Sequence, residues 1–111
     1  MLLERKDHIE NDEVGYIECI YSSDNIIKTT YFPKSRRLYI AFGRGHTYSY
    51  ANISDEMYNE FENSDSQGKY FHKHINNKKE FPSRKEFTLY PNEVNEIKNN
   101  INEHINLNDY E

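Results

Sequence analysis

The chain contains a single cysteine, Cys19, and no tryptophan among its 111 residues. One cysteine cannot form an internal disulfide or a cysteine-based zinc site, so neither kind of cross-link is available to the fold. Such cysteine usage is typical of a reducing compartment, and we expect a cytoplasmic location.

Long apolar runs are also missing. Residues 1–7 contain none, so no signal peptide is expected. No stretch approaches the roughly 20 apolar residues that span a membrane, and we expect no membrane partner. Hydrophobic residues make up only 35% of the chain, and mean hydropathy is -1.06. The 10 Tyr and 6 Phe residues must therefore supply much of the core.

Positive charge is outnumbered by negative charge. The chain has 14 Lys and Arg residues against 19 Asp and Glu residues, for a net charge of -5. A general binder of duplex nucleic acid needs a basic face, which this balance argues against, although it leaves room for a local basic pocket. Frequent Asn, Ile, Lys and Tyr, whose codons are A/T-rich, indicate an AT-rich genome such as that of a phage or a low-GC bacterium.

Alternating side chains predict an antiparallel meander in the middle of the chain. Four strands are predicted over residues 14–21, 26–32, 38–42 and 46–50, with a short fifth strand over 87–90. In the first strand, the even-numbered residues point one way and the odd-numbered residues the other. Glycines at Gly43 and Gly45 mark a hairpin turn.

Helical patterns follow the meander. Ser54 and Ser66 are suited to cap two helices, and a third helix after Pro91 carries a narrow apolar stripe of Val94, Ile97, Ile101 and Ile105. We expect an α+β fold with a four- to five-stranded antiparallel sheet and two to three helices packed on one face. Residues 1–13 would form a charged arm, 14–90 the α+β domain, and 91–111 an amphipathic helix and tail. The stripe would pack on its own sheet or pair with a second copy to give a homodimer.

The order of these features resembles a known family. A strand with Leu38, Ile40 and Phe42 precedes Gly45, Tyr48 and Tyr50, and the run Ser66-Gln67-Gly68-Lys69-Tyr70-Phe71 follows. Over roughly residues 18–76 this arrangement resembles the KTSC domain, a short module named for its place at the C-terminus of some lysyl-tRNA synthetases and common as a free-standing protein in bacteria and phages. The resemblance implies the architecture and carries over no general activity. His72 replaces the family's usual Asn, and the closing aromatic, Phe81, comes after a basic insertion.

The residues predict no enzymatic activity, cofactor or metal. His72 and His74 are two positions apart on a predicted helix, so they point to nearly opposite sides and cannot share an ion. Cys19 lies mid-strand, where a free cysteine is usually inert, and Ser66 is explained as a helix cap. Gly43-Arg44-Gly45 lacks the strand-to-helix setting of a phosphate loop.

Aromatic and cationic residues gather in two segments, 44–50 and 69–72. If part of the sheet is uncovered, they would form an aromatic platform with cationic edges, which can stack nucleobases and hold phosphates. The predicted ligand-binding residues are Arg44, His46, Tyr48, Tyr50, Lys69, Tyr70 and His72. The alternative is that the aromatic residues fill the core and the charges form a solvated surface.

These observations predict a small, non-enzymatic binding protein of phage origin that acts in the host cytoplasm. It would sequester a nucleotide-like ligand or inhibit a host defence protein. The alternative, suggested by the lysyl-tRNA synthetase association, is an RNA-binding accessory module. An RNA binder should lose affinity steeply as salt rises.

Overall fold

The computed structural model describes residues 1–23 and 25–109 as one antiparallel sheet with three helices. The six strands lie side by side in chain order. The elements are β1 (Leu2–Glu10), β2 (Glu13–Tyr21), β3 (Ile26–Phe32), β4 (Arg37–Phe42), β5 (His46–Tyr50), α1 (Asp55–Glu62), α2 (Gln67–His74), β6 (Ser83–Thr88) and α3 (Pro91–Asp109). The α+β class and the antiparallel meander are confirmed, with one strand more than expected.

Strand alternation divides the sheet into two faces. Helices α1 and α2 cover one face, which we call the helix-pair face. Most of the core lies between these two helices and the sheet. Its buried members are Ile17, Cys19, Tyr21, Ile26, Tyr31, Leu38, Ile40 and Tyr50 with Ile53, Tyr58, Phe61, Phe71 and Ile75. Aromatic rings fill much of this core, as the shortage of aliphatic residues predicts; Tyr31 and Tyr58 stack with centroids 4.2 Å apart.

Serine side chains begin α1 and α2. Ser54 Oγ accepts a hydrogen bond from the backbone N–H of Met57 at 3.1 Å, and Ser66 Oγ accepts one from Lys69 at 3.3 Å. Each bond satisfies a backbone donor that the first helical turn leaves without a partner. The predicted caps are confirmed, and they orient α2 so that Phe71 points into the core.

The third helix lies on the other side of the sheet. Val94, Ile97 and Ile101 of α3 pack against Ile27 and Ala41. Three residues of the apolar stripe therefore pack on their own sheet, one of the two alternatives expected, whereas Ile105 is 37% exposed. Only α1 and α2 share a face of the sheet. They cover the helix-pair face, and α3 packs on the opposite face.

Gly45 permits the close approach of α3 to the β4–β5 turn. Its φ of 96° lies in the left-handed region that side chains rarely adopt, and a Cβ there would be 2.9 Å from Val94 Cγ2. A larger residue would strain the turn and push the helix away. The glycine predicted to mark a hairpin turn thus also allows α3 to pack closely against that turn.

Residues 1–13 do not form the expected arm. Leu2–Glu10 is β1, which pairs antiparallel with β2, including Lys6 opposite Glu18. The strand lies at the sheet edge, where two register shifts and the charges of Arg5, Lys6 and Asp7 discourage pairing with another chain. Its charged sequence reflects this edge position.

The last strand is displaced from its expected place. It spans Ser83–Thr88 rather than 87–90, and it pairs with β5, Phe87 lying opposite Thr47. Ser83–Thr88 therefore forms the second edge of the sheet. Pro91 then begins α3, which was expected to follow it.

Candidate functional site

The predicted residues on the β4–β5 hairpin lie at its tip and along β5. Arg44 and His46 are exposed, and His46 Nδ1 lies 3.1 Å from Thr88 Oγ1 on β6. Tyr48 is half-buried on the helix-pair face, edge-on to Phe42 with centroids 6.2 Å apart. These three residues are close in sequence, but only Tyr48 packs against the core.

Two of the predicted aromatic residues are occupied by internal contacts. Tyr50 is 5% exposed and packs edge-on against Phe71 at 5.2 Å, and burial raises its pKa to about 12. Tyr70 donates a hydrogen bond to Glu60 at 2.7 Å, and its ring lies 6.0 Å from that of Phe61. Tyr50 is therefore a core residue rather than part of a stacking surface.

Lys69 and His72 lie on the exposed side of α2. Both line a shallow cavity of about 360 Å³ with Ser22, Ser23, Asn25, Ser66 and Gly68. The structure brings these two predicted residues together and leaves the other five outside that cavity. The seven residues do not form one platform.

An aromatic surface does exist, on the opposite side of the sheet. We call it the open face: the part of the surface opposite α1 and α2 that α3 leaves uncovered, carrying Tyr16, Phe32 and Tyr39. His8 stacks on Tyr16 with centroids 4.2 Å apart; Tyr16 lies 5.4 Å from Phe32, and Phe32 lies 5.6 Å from Tyr39. These four rings form an aromatic row across β1, β2, β3 and β4.

A groove of about 230 Å³ lies at the Tyr39 end of this row. Its lining residues are Lys28, Thr30, Phe32, Tyr39, Ala41, Thr47, Phe87 and Leu89. Phe32, Tyr39 and Phe87 contribute rings, and Phe87 is 51% exposed. Apolar concave sites with a few polar groups are typical of small-molecule binding, and this volume suits a single flat ring system.

A charged cluster borders the groove on the β2 side. Lys28 Nζ lies 3.0 Å from Glu18 Oε2. His8 Nε2 lies 2.8 Å from Glu18 Oε1, an ion-pair distance without hydrogen-bond geometry. Burial disfavours the charged form of Glu18, but the hydrogen bond and charge of Lys28, with the nearby His8 and Lys6, outweigh it and lower the Glu18 pKa. Lys28 thus places an ammonium group at the groove.

A second polar network lies on the β6 side. Arg37 donates to Ser49 Oγ at 2.7 Å, Ser49 donates to Glu86 Oε1 at 2.7 Å, and Arg84 donates to the same oxygen at 2.7 Å. The hydrogen bonds from Ser49 and Arg84 lower the pKa of Glu86, which stays ionised. Two guanidinium groups against one carboxylate leave a net positive charge in the network next to Tyr39.

Sequence reasoning missed the aromatic row, although its signal was present. Tyr16 and Tyr39 are the outward members of alternating strands, and Phe32 ends the third strand. Alternation shows that these rings share a face but not whether a helix covers it. The path of α3 decides that, and it depends on tertiary packing.

Other site classes find no geometric support in the described chain. Within residues 1–23 and 25–109, no three His, Cys, Asp or Glu side chains are grouped to hold a metal ion. Across the same residues, no helix combines the length and apolarity needed to cross a membrane.

Comparisons with known proteins point to one family. The KTSC domain family model matches residues 22–81. The chain is similar to the crystal structure of a KTSC domain protein from Yersinia pestis, with a TM-score of 0.59 and 30% identity over 63% of this chain and 96% of that one. No curated protein matches the sequence. Phe32 and Tyr39 fall within the matched residues, whereas Tyr16 and Phe87 fall outside them.

Proposed function

This chain belongs to the KTSC domain family, and we propose that it is a non-enzymatic binding protein that holds a nucleotide-like ligand on its open face. One observation carries the proposal: a groove the size of a flat ring system is lined by Phe32, Tyr39 and Phe87 and lies beside two arginines. Aromatic rings next to cations are what a nucleobase with an attached phosphate requires.

The base would stack in the groove against Tyr39 and Phe87. Stacking of a base on an aromatic side chain contributes about 1–3 kcal/mol and works with any base. Phe87 is half exposed without a ligand, so a base would remove apolar surface from water. Thr30 and Lys28, which also line the groove, can bond to the polar edge of the base.

The phosphate would lie near Arg84 and Arg37. Arg84 is exposed and pairs with Glu86 at the surface, so its guanidinium can turn to a phosphate oxygen. Arginine suits this role because its planar fork of donors matches a phosphate in two places.

The free thiol of the single cysteine, Cys19, is consistent with a binding protein in a reducing cytosol. Cys19 is buried, and burial raises its pKa to about 11, so it is a thiol rather than a reactive thiolate at neutral pH. We extend the proposal to a phage protein that sequesters its ligand in the cytosol of a host, on the strength of the A/T-rich residue usage and the free thiol.

Calorimetric titration with the four ribonucleoside monophosphates tests the proposal. We expect at least one of them to bind, and Phe87→Ala or Tyr39→Ala to weaken its affinity about tenfold, the effect of losing roughly 1.4 kcal/mol. Tyr90→Ala is the matched control, since Tyr90 is 73% exposed and outside the groove.

Two results would count against a nucleotide ligand. Failure of all four nucleotides to bind would exclude it, and wild-type affinity in Phe87→Ala would place the site elsewhere. A host protein retained by the wild type and lost by Phe87→Ala, without nucleotide binding, would favour the inhibitor function instead.

A further inference from the structure

Positive charge is concentrated in one stretch of this acidic chain. Residues 69–85 contain six of the 14 Lys and Arg residues and a single acidic residue, Glu80. The rest of the chain has eight cationic residues against eighteen acidic ones. A net charge of -5 therefore conceals a strongly basic segment.

Six exposed cations follow one another along this segment, and we call them the basic ridge. It follows α2, the turn after it and β6, and all its members are exposed. The ridge consists of Lys69, Lys73, Lys78, Lys79, Arg84 and Lys85. Among the described residues, Arg84 is the ridge member that forms an ion pair, and its partner is Glu86.

The ridge meets the groove at β6. Arg84 lies opposite Ser49 and joins the network beside Tyr39, while Phe87 lines the groove three residues later. In the other direction the ridge passes around the β6 edge of the sheet to Lys73 and Lys69 on α2, which covers the helix-pair face. These two lie one helical turn apart, about 6 Å along the axis, and on the same side of α2.

We infer that the ligand is a single-stranded nucleic acid, with one base in the groove and its phosphate backbone along the basic ridge. This rests on the proposed function and narrows it. A free nucleotide offers phosphate at one position, which Arg84 and Arg37 already serve. Cations that continue from Arg84 around the β6 edge to Lys85 and onto α2 match a chain of phosphates.

The same charge distribution disfavours a duplex. Beyond the ridge, acidic residues outnumber cations by more than two to one, so a second strand would meet repulsion. A paired base also cannot enter a groove of about 230 Å³ between side chains. An unpaired strand meets both conditions.

Binding of labelled 12-nucleotide RNA and DNA strands, measured by anisotropy from 50 to 200 mM NaCl, tests the inference. We expect a 12-mer to bind at least 100-fold more tightly than the mononucleotide of the same base at 50 mM NaCl. Its affinity should fall with salt by about 0.7 in log–log slope for each phosphate contacted. Comparing RNA with DNA shows which sugar the site accepts.

Charge-neutral variants separate the ridge from general electrostatics. Lys73→Gln with Lys78→Gln and Lys79→Gln should reduce the salt slope by about 2, for three contacts at about 0.7 each, and leave mononucleotide affinity unchanged. Lys6→Gln with Lys34→Gln and Lys98→Gln removes the same charge from exposed sites outside the ridge. This control should keep the wild-type slope.

The outcomes distinguish the inference from the function beneath it. Equal affinity for the 12-mer and the mononucleotide, or equal slopes for the two triple variants, would overturn the inference and leave nucleotide binding intact. If neither probe binds, both fail. A 12-mer that binds Phe87→Ala as tightly as the wild type would overturn the placement of a base in the groove.

Discussion

At the scale of single residues, the buried carboxylate of Glu62 joins three other side chains through hydrogen bonds. It is 4% exposed, and its carboxylate accepts hydrogen bonds from Arg5 at 3.0 and 3.2 Å, from Tyr58 at 2.9 Å and from Cys19 at 3.4 Å. A buried charge is tolerated only when it is paired and hydrogen-bonded, so these donors are what permit Glu62 to lie there. Arg5 thereby ties β1 to α1.

Replacing Glu62 should therefore be costly. Glu62→Ala leaves Tyr58 without its acceptor and Arg5 without its buried partner, and we expect a loss of about 3 kcal/mol in the free energy of unfolding, measured with urea. Asp7→Ala is the control, because Asp7 pairs with the same arginine at the surface and should cost under about 1 kcal/mol. Equal losses in the two variants would contradict the role given to Glu62.

Because the tyrosine hydroxyls of the core are buried, we expect the free energy of unfolding to fall at alkaline pH. Burial raises the pKa of Tyr50 from 10.0 to about 12. Below pH 10 the folded and unfolded chains both keep this proton; between pH 10 and 12 only the unfolded chain loses it, so the free energy of unfolding falls as pH rises. Burial raises the pKa values of Tyr21, Tyr31 and Tyr58 in the same direction.

Urea unfolding between pH 8 and 11.5 measures this fall. Tyr50→Phe should show a shallower decline than the wild type above pH 10, since it removes one titrating group. Tyr90→Phe, at a site 73% exposed, should decline as the wild type does. Parallel curves for all three proteins would exclude Tyr50 as a contributor.

At the scale of elements, α3 depends most on a few contacts. Ile97 and Ile101 supply much of its apolar packing, and an isolated helix this polar is marginal. The double substitution Ile97→Asp and Ile101→Asp should detach α3 from the sheet. We expect a loss of helical circular dichroism and a lower Tm. Asn95→Asp with Asn102→Asp adds the same charge on the exposed side and should change little.

Sedimentation of the same variants tests the homodimer alternative. A wild-type dimer that becomes a folded monomer in the isoleucine variant would show that the stripe pairs two copies. A wild-type monomer that loses stability in this variant would agree with packing on its own sheet.

The strands show which elements sequence can predict. The strands β2 to β5 were predicted to within one residue because each buries one side and so alternates clearly. The edge strands were not: β1 is mostly charged, and Phe87 on β6 is half exposed, so burial leaves little pattern in either. Their pairing depends on a neighbouring strand rather than on their own residues.

The candidate site was less predictable than the fold. The prediction relied on aromatic residues beside cations in the sequence, but Tyr50 is buried in the core, and Tyr39, which the prediction did not include, is on the open face. Alternation places Tyr48 and Tyr50 on one face and Tyr39 on the other. Which face stays open follows from the packing of all three helices, and no local pattern carries that information.

For the molecule as a whole, the family match does not coincide with the folding unit. Residues 22–81 exclude β2, which contributes Ile17, Cys19 and Tyr21 to the core. A fragment of residues 22–81 should therefore be unfolded by circular dichroism and NMR dispersion. A fragment of residues 1–90 keeps the main core and loses only the small α3 cluster, so it should fold with a reduced Tm. A cooperatively folded 22–81 fragment would contradict this division.

The chain order of the strands has a consequence for how the molecule assembles. Each strand pairs only with those before and after it in the sequence, so β1 to β5 can pair hairpin by hairpin without closing a long loop first, and β6 joins after α1 and α2. On a ribosome, β1 to β5 could pair while the rest is still being synthesised. The long-range link between His104 on α3 and Glu4 on β1, 3.1 Å apart, must come last. In stopped-flow refolding, closure of α3 should follow formation of the sheet, and a helix that docks first would refute this order.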